Sequence, residues 1–264
     1  MSRLFLQENP SVLSAYGVTD KGRVRPTNED CWAFEPSRGL CVIADGMGGH
    51  KAGEVAARLA VETIVGFLTG ESAGAGWPFG FDPSLSNAGN QLRTAIQLAH
   101  MRILETAVTS DQYSGMGTTI VASLVEGGRL SVGHAGDSRL YVLADDRLRQ
   151  LTRDDSWMAT MLAQDPAADL GRYDQHPMRN ALTNVVGARR RTDVHVVEED
   201  LKGGELLLLT TDGVHGVLDD GRIEQLLLDA HDVQGMATTL VAAALARGSR
   251  DNCTALVARH CLDS

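Results

Sequence analysis

The sequence predicts an α+β fold of two antiparallel β-sheets covered by helices, with residues 1–264 forming one domain. Three observations lead there. Short β-type runs cluster in hairpins, and helical periodicities come in pairs. The one-for-one alternation of strand and helix that a doubly wound parallel sheet needs is absent. No repeat, low-complexity tract or linker interrupts the chain.

The elements follow in order. Residues 11–20 (SVLSAYGVTD), 30–36 (DCWAFEP) and 39–45 (GLCVIAD) read as strands. Ala56, Ala60, Ile64, Phe67 and Leu68 then recur at helical spacing within Ala52–Leu68. A Gly/Pro/aromatic loop over 71–83 leads to a second helix, whose apolar stripe is Leu85, Leu92, Ile96, Ala99 and Ile103. Residues 117–152 form short strands broken by Gly-Gly, Gly-Asp and Asp-Asp, a pattern that predicts a meander of hairpins. A short helix near Asp154–Leu162 and a polar stretch through Asn180 follow. Strands at 192–198 and 205–211, helices at 219–229 and 233–246, and a last strand at 253–260 complete the chain.

A formal net charge of −10 argues against a nucleic-acid partner held by phosphate neutralisation. No apolar run reaches the roughly 18 residues of a membrane span, and Met1–Pro10 lacks a signal-peptide pattern. Cys31, Cys41, Cys253 and Cys261 lie far apart without a C-x-x-C pair, as reduced thiols do. The expectation is a soluble, cytoplasmic monomer.

Four aspartates share one local pattern, in which a strand of apolar or small residues runs into Asp and then a turn-former. They are Asp45 (VIADG), Asp137 (HAGDS), Asp212 (LLLLTTDG) and Asp251 (GSRDN). Singly, such dipeptides are ordinary turns. However, Asp212 ends a run that reads as buried on both faces, where an unpaired carboxylate is costly. Converging carboxylates repel unless a cation neutralises them, and an all-oxygen donor set selects Mg²⁺ or Mn²⁺ over zinc. Two such ions clamp and activate a water. The glycines of VIADGMGGHKAGE (42–54) then let the backbone approach a metal held by Asp45. As a nucleotide cradle this loop fails: it matches no Walker A, and Lys51 stands where the dinucleotide fingerprint needs its third glycine.

Together, VRPTNED (24–30), VIADGMGGHKAGE (42–54), GMGTTIVA (115–122), GDSRLY (136–141), LTRDDS (151–156), LLLTTDGV (207–214) and RDNCTALV (250–257) resemble the bacterial branch of the metal-dependent serine/threonine protein phosphatases, type 2C or PPM. They occur in the family's order over nearly the whole chain. The resemblance implies a β-sandwich flanked by helices, in α-β-β-α layers. It also implies hydrolysis of phosphoserine and phosphothreonine by water activated on Mn²⁺ or Mg²⁺, with no covalent enzyme intermediate. By the same resemblance Asp45 bridges both metals, and the Gly46 carbonyl and Glu29, through water, complete one shell. Asp212 and Asp251 hold the other metal, and Asp137 joins Asp212 in a third, weaker site. Arg25, four residues before Glu29, stands as the phosphate-binding arginine, a role its guanidinium fork suits. The implied partners are phosphorylated proteins, the products of Ser/Thr kinases.

The chain departs from the family pattern at three places. Met47 follows Asp-Gly where some members carry a histidine, which leaves the general acid open between His50 and metal-bound water. Asp155 replaces the histidine of the usual DHS. The substrate-gating flap, about 157–180, carries no legible specificity signal. Two other functions are compatible with the chain: a catalytically weak phospho-dependent binding module, and a phosphohydrolase for small molecules. Retention of all four acids counts against the first. His134 shares a strand face with Leu130 and Val132 and reads as packed, the Arg189–Arg191 run as solvated, and the cysteines as unactivated.

Overall fold

The computed structural model describes residues 12–49, 52–70, 76–165, 176, 178–179 and 181–261. One sheet has the order β1 (Val12–Asp20), β11 (Cys253–Cys261), β10 (Leu206–Thr210), β7 (Arg139–Ala144), β8 (Arg147–Gln150). The other runs β2 (Asp30–Glu35), β3 (Leu40–Met47), β5 (Ile120–Glu126), β6 (Arg129–Ala135), β9 (His195–Asp200), with β4 (Gly117–Thr118) added on β3. All pairings are antiparallel.

Strand alternation explains the four layers. On β3, Cys41 and Ile43 point between the sheets, while Leu40, Val42 and Ala44 point outward to the helices. There they meet α1 (Ala52–Thr69) and α2 (Asn87–Ala107) through Ala56, Ala60, Ile64, Leu92 and Ile96. On β10, Leu207 and Leu209 enter the inter-sheet core, and Leu206 and Leu208 face the opposite helices. Those are α4 (Asp212–His215), α5 (Asp220–Asp229) and α6 (Val233–Ala246), which contribute Val214, Ile223, Leu227 and Leu240. Both faces of the central strands are therefore buried, which is why β10 reads as a continuous apolar run. This is the α-β-β-α sandwich.

Two expectations shift. The 117–152 meander divides between the sheets: β5 and β6 pair in one, β7 and β8 in the other. The crossing is the turn after Ala135, where Gly136 adopts φ 103°, a region a side chain would disfavour. The helix expected from Asp154 is α3 (Trp157–Gln164), because the Ser156 hydroxyl caps it by accepting from Ala159 N. Helix α4 is too short to leave a periodicity. Of the flap expected at about 157–180, α3 and a few further residues are described; 166–175, 177 and 180 lie outside the described residues.

Helix α4 packs so closely on the start of β11 that a Cβ at Gly213 would lie 1.8 Å from the Asn252 carbonyl oxygen. That approach sets the spacing between Asp212 and Asp251. Gly213→Ala is expected to destabilise the fold by about 3 kcal/mol or more, read as a fall in the urea midpoint. Gly221→Ala serves as the control: its nearest neighbour would be 3.5 Å away, so its midpoint should hold or rise.

Candidate active site

The sandwich opens at one end, where β3, the β6–β7 crossing, α4 and the turn before β11 converge. Asp45 sits inside β3, two residues before its end, and its backbone is fixed from both sides. Its N–H donates to Thr119 Oγ1 (3.1 Å), and its carbonyl accepts from Thr119 N (2.8 Å) and Thr118 Oγ1 (2.8 Å). Asp212 opens α4 directly after β10, Asp251 lies in the turn before β11, and Asp137 lies in the crossing turn.

Glu29 and Arg25 arrive on the loop before β2, and Asn252 staples that loop. Its Nδ2 donates to Lys21 O (2.8 Å) and Thr27 O (2.9 Å), and its Oδ1 accepts from Glu29 N (2.8 Å). Gly46 is fixed by crowding, since a Cβ there would lie 2.1 Å from the Gly53 carbonyl oxygen of α1. Its N–H donates to Glu29 O at 3.1 Å. The structure thus brings Arg25, Glu29, Asp45, Gly46, Asp137, Asp212 and Asp251 around one cavity of about 200 Å³. Among the described residues, no three acids or histidines close into a tight coordination cluster; the carboxylates ring the cavity rather than meeting at a point.

The electrostatics are those of crowded, desolvated acids. Burial, then the charges of Asp212 and Asp154, pushes Asp137 up to about 7. Asp45 is held well above the usual carboxylate range by burial first, then by Asp30 and Asp212. Asp212 is raised by burial and by Asp251, and its Oδ1 is buried without a partner. Glu29 is raised by burial, against the pull of Arg25. Arg25 Nη2 donates to Asp251 Oδ2 at 2.5 Å while the side chain remains 50% exposed. One arginine stands at the rim of a strongly acidic cavity.

Three contributors were missed in the sequence. Asp30 is the cross-strand partner of Asp45, an arrangement of like charges that costs stability unless offset. Its Oδ2 accepts from Thr211 Oγ1 (2.9 Å) and Thr254 Oγ1 (2.6 Å), and its Oδ1 is buried without a partner. Its signal was present, in VRPTNED, one residue beyond the expected ligand. Asn252 and the Thr118–Thr119 pair act through backbone hydrogen bonds, for which no side-chain pattern exists.

The departures also have places. Met47 lines the cavity, and His50 lies outside the described residues. Asp155 Oδ2 accepts from Gly136 N (3.0 Å) and Asn184 Nδ2 (2.7 Å), and Oδ1 meets His195 Nε2 at 3.1 Å. The acid in the DHS position therefore braces the turn that carries Asp137. His134 is packed, 2% exposed, with its ring 5.1 Å from that of His195. Arg189, Arg190 and Arg191 are exposed. Cys31, Cys41 and Cys253 are free, and burial raises all three thiols, Cys41 to about 12, the reverse of nucleophile activation.

Comparison with known proteins agrees with this geometry. The serine/threonine phosphatase stp of Listeria innocua is 29% identical over 251 residues, 90% of this chain and 92% of that protein. The crystal structure of the Mycobacterium tuberculosis serine/threonine phosphatase PstP/Ppp superposes with a TM-score of 0.82 at 30% identity, over 95% of this chain and 99% of that one. The PstP catalytic domain in complex with two manganese ions gives 0.80 at 30% identity, with the same two shares covered. A sequence profile described as Protein phosphatase 2C matches residues 23–231, a span that contains Arg25, Glu29, Asp45, Asp137 and Asp212, and the chain accordingly belongs to that family.

Proposed function

We propose that this chain is a metal-dependent serine/threonine protein phosphatase, with residues 1–264 acting as one catalytic domain. The observation that carries the proposal is the ring of five carboxylates, with the buried, unpartnered Asp212 Oδ1 among them, beside the half-exposed Arg25. Buried carboxylates without cationic partners are unfavourable, and oxygen donors of this kind suit Mn²⁺ or Mg²⁺. The residues therefore fit the two ions, with a third and weaker site at Asp137. Asp45 and Gly46, with Glu29, would hold one ion; Asp45, Asp212 and Asp251 the other. When bound, the ions act as Lewis acids and lower the pKa of water to supply the nucleophile.

The chain's own groups do the rest. Arg25, aimed across the rim, binds the phosphate oxygens by its planar fork and offsets charge in the transition state. The Thr118–Thr119 pair holds Asp45 rigid, so the acid need not reorganise as charge develops. Asp251 shares its carboxylate between the cation site and Arg25, which ties phosphate binding to metal binding. The substrates are phosphoproteins made by Ser/Thr kinases. The acidic balance disfavours nucleic acid, and no described helix is long and apolar enough to cross a membrane. A cytoplasmic monomer fits these features.

The test is phosphate release from a phosphothreonine peptide with Mn²⁺ and with EDTA. Activity is expected with Mn²⁺ and none with EDTA, restored by re-adding the ion. Full activity in EDTA would overturn the metal mechanism. Mn²⁺ binding without turnover of any phosphoester would favour the phospho-dependent binding module.

A further inference from the structure

The turn that carries Asp137 is held at both ends. Ser138 Oγ, one residue after it, lies 2.7 Å from Thr119 Oγ1, the hydroxyl that also accepts from Asp45 N. Gly136, one residue before it, is gripped twice by Asp155. The Asp155 N–H donates to Gly136 O (2.9 Å), and Oδ2 accepts from Gly136 N (3.0 Å). A Cβ at Gly136 would lie 2.7 Å from the Thr119 side chain, so the turn is wedged between Thr119 and Asp155. Asp154, next to Asp155, holds Arg139 bidentately at 2.9 and 2.8 Å and so fixes the start of β7. Asp137 therefore owes its place in the acidic ring to a bracket, one arm of which is Asp155.

That arm is anchored on a distant element, β9 and the residues leading into it. Asp155 Oδ2 also accepts from Asn184 Nδ2 (2.7 Å). Asn184 in turn donates to Asp193 O (2.8 Å) and accepts at Oδ1 from Thr192 Oγ1 (3.0 Å). His195 opens β9, and its Nε2 lies 3.1 Å from Asp155 Oδ1. A carboxylate only accepts, so Nε2 carries the hydrogen. His134, the cross-strand neighbour of His195 on β6, is buried, with its ring 5.1 Å away, which limits where the His195 imidazole can turn. Three side-chain and backbone donors thus satisfy both oxygens of a largely buried carboxylate. The family pattern has histidine at position 155; here that position is acidic, and an imidazole reaches it from β9.

We propose that His195 is a positioning residue for the cation site of Asp137: by donating to Asp155 Oδ1 it fixes the carboxylate that grips Gly136, and so fixes Asp137 beside Asp212. The inference rests on the phosphatase reading and on its weaker cation site. The effect is confined to one site by the way the other acids are held. Among the described residues, no hydrogen bond to Asp45 or Asp251 comes from Asp155, Asn184 or His195. Loss of the His195 donor therefore loosens Asp137 and leaves the two main cation positions in place.

The test is calorimetric titration with Mn²⁺, which separates tight from weak binding, with turnover of p-nitrophenyl phosphate followed at each Mn²⁺ concentration. His195→Ala is expected to weaken the low-affinity phase about tenfold or more, the scale of outer-shell changes, and to leave the tight phase within about twofold. The Mn²⁺ concentration for half-maximal turnover should rise in step, with turnover recovered at high Mn²⁺. His195→Gln, which keeps an N–H at similar reach, should recover most of the affinity. Asp137→Asn should abolish the weak phase, and adding His195→Ala to it should cost nothing further, because the two act on one site. A merely structural role would weaken both phases and persist in the Asp137→Asn background. That result overturns the positioning role, as does an unchanged titration or a wild type with no weak phase; in each case Mn²⁺-dependent turnover leaves the phosphatase reading standing. Equal damage in His195→Ala and His195→Gln overturns the donor role. Two binding phases without turnover of any phosphoester overturn the phosphatase reading alone.

Discussion

Asp45→Asn is expected to lower phosphopeptide turnover by on the order of a thousandfold or more, while making the metal-free protein more stable at neutral pH. The loss of turnover follows from the donor set. In the proposed site Asp45 is the acid that would serve both cations, and an amide is a weaker, uncharged ligand; outer-shell changes alone cost about 10–100-fold in metal enzymes. The gain in stability follows from the crowding. Asp45 lies opposite Asp30 and near Asp212 and Asp137, and its pKa is raised by burial and by those charges. A carboxyl whose folded pKa is raised favours the folded state fully below its unfolded value, near 3.8, and loses that contribution as pH rises through the folded value. In EDTA, wild type and Asp45→Asn should therefore melt at similar temperatures near pH 4, and the variant should melt higher as pH approaches 8. With saturating Mn²⁺ the order should invert, because the wild type gains more from the ion. A variant that is inactive and also less stable in EDTA at every pH would show that Asp45 supports the fold rather than opposing it.

The opposing demands on these acids explain what the sequence could show. The helices at 219–229 and 233–246 were legible almost to the residue, since Asp219 and Asp232 cap α5 and α6 by accepting from Arg222 and Gly235 N–H groups. The buried strands were legible through their composition. The division of the central hairpins between two sheets was not, because hairpin signals are local and partner choice is not. At the site, each aspartate read alone as a turn; the apolar strand before Asp212 and the family's order of motifs gave the set its meaning. Asp30 escaped because a carboxyl between two threonines resembles a surface residue until the strands pair. The Asn252 staple escaped because its partners, Lys21 O, Thr27 O and Glu29 N, are backbone atoms more than 220 residues earlier in the chain.

Arg25→Ala should separate phosphate binding from metal binding. The guanidinium contacts Asp251 through one nitrogen and is half exposed, so it can turn its remaining donors toward an incoming phosphate. Removing it deletes a charge-assisted hydrogen-bond donor at the point where the phosphoryl charge develops. Such deletions cost roughly 10²–10³-fold in rate. Arg25→Lys should recover only part of this, because a point charge cannot reproduce the bidentate fork. The metal response should run the other way. Arg25 draws on the Asp251 carboxylate, as a cation would in the proposed site, so the alanine variant leaves that carboxylate free and should bind Mn²⁺ at least as tightly as the wild type. Titration calorimetry with Mn²⁺, set beside kcat/KM for a phosphothreonine peptide, reads both effects. A large loss of kcat/KM with unchanged or tighter Mn²⁺ binding is the signature of a phosphate-binding arginine. If Mn²⁺ affinity falls in proportion to activity, Arg25 instead serves to orient Asp251. The 2.5 Å contact would then be the structural purpose of the residue, and the phosphate would depend on the cations alone.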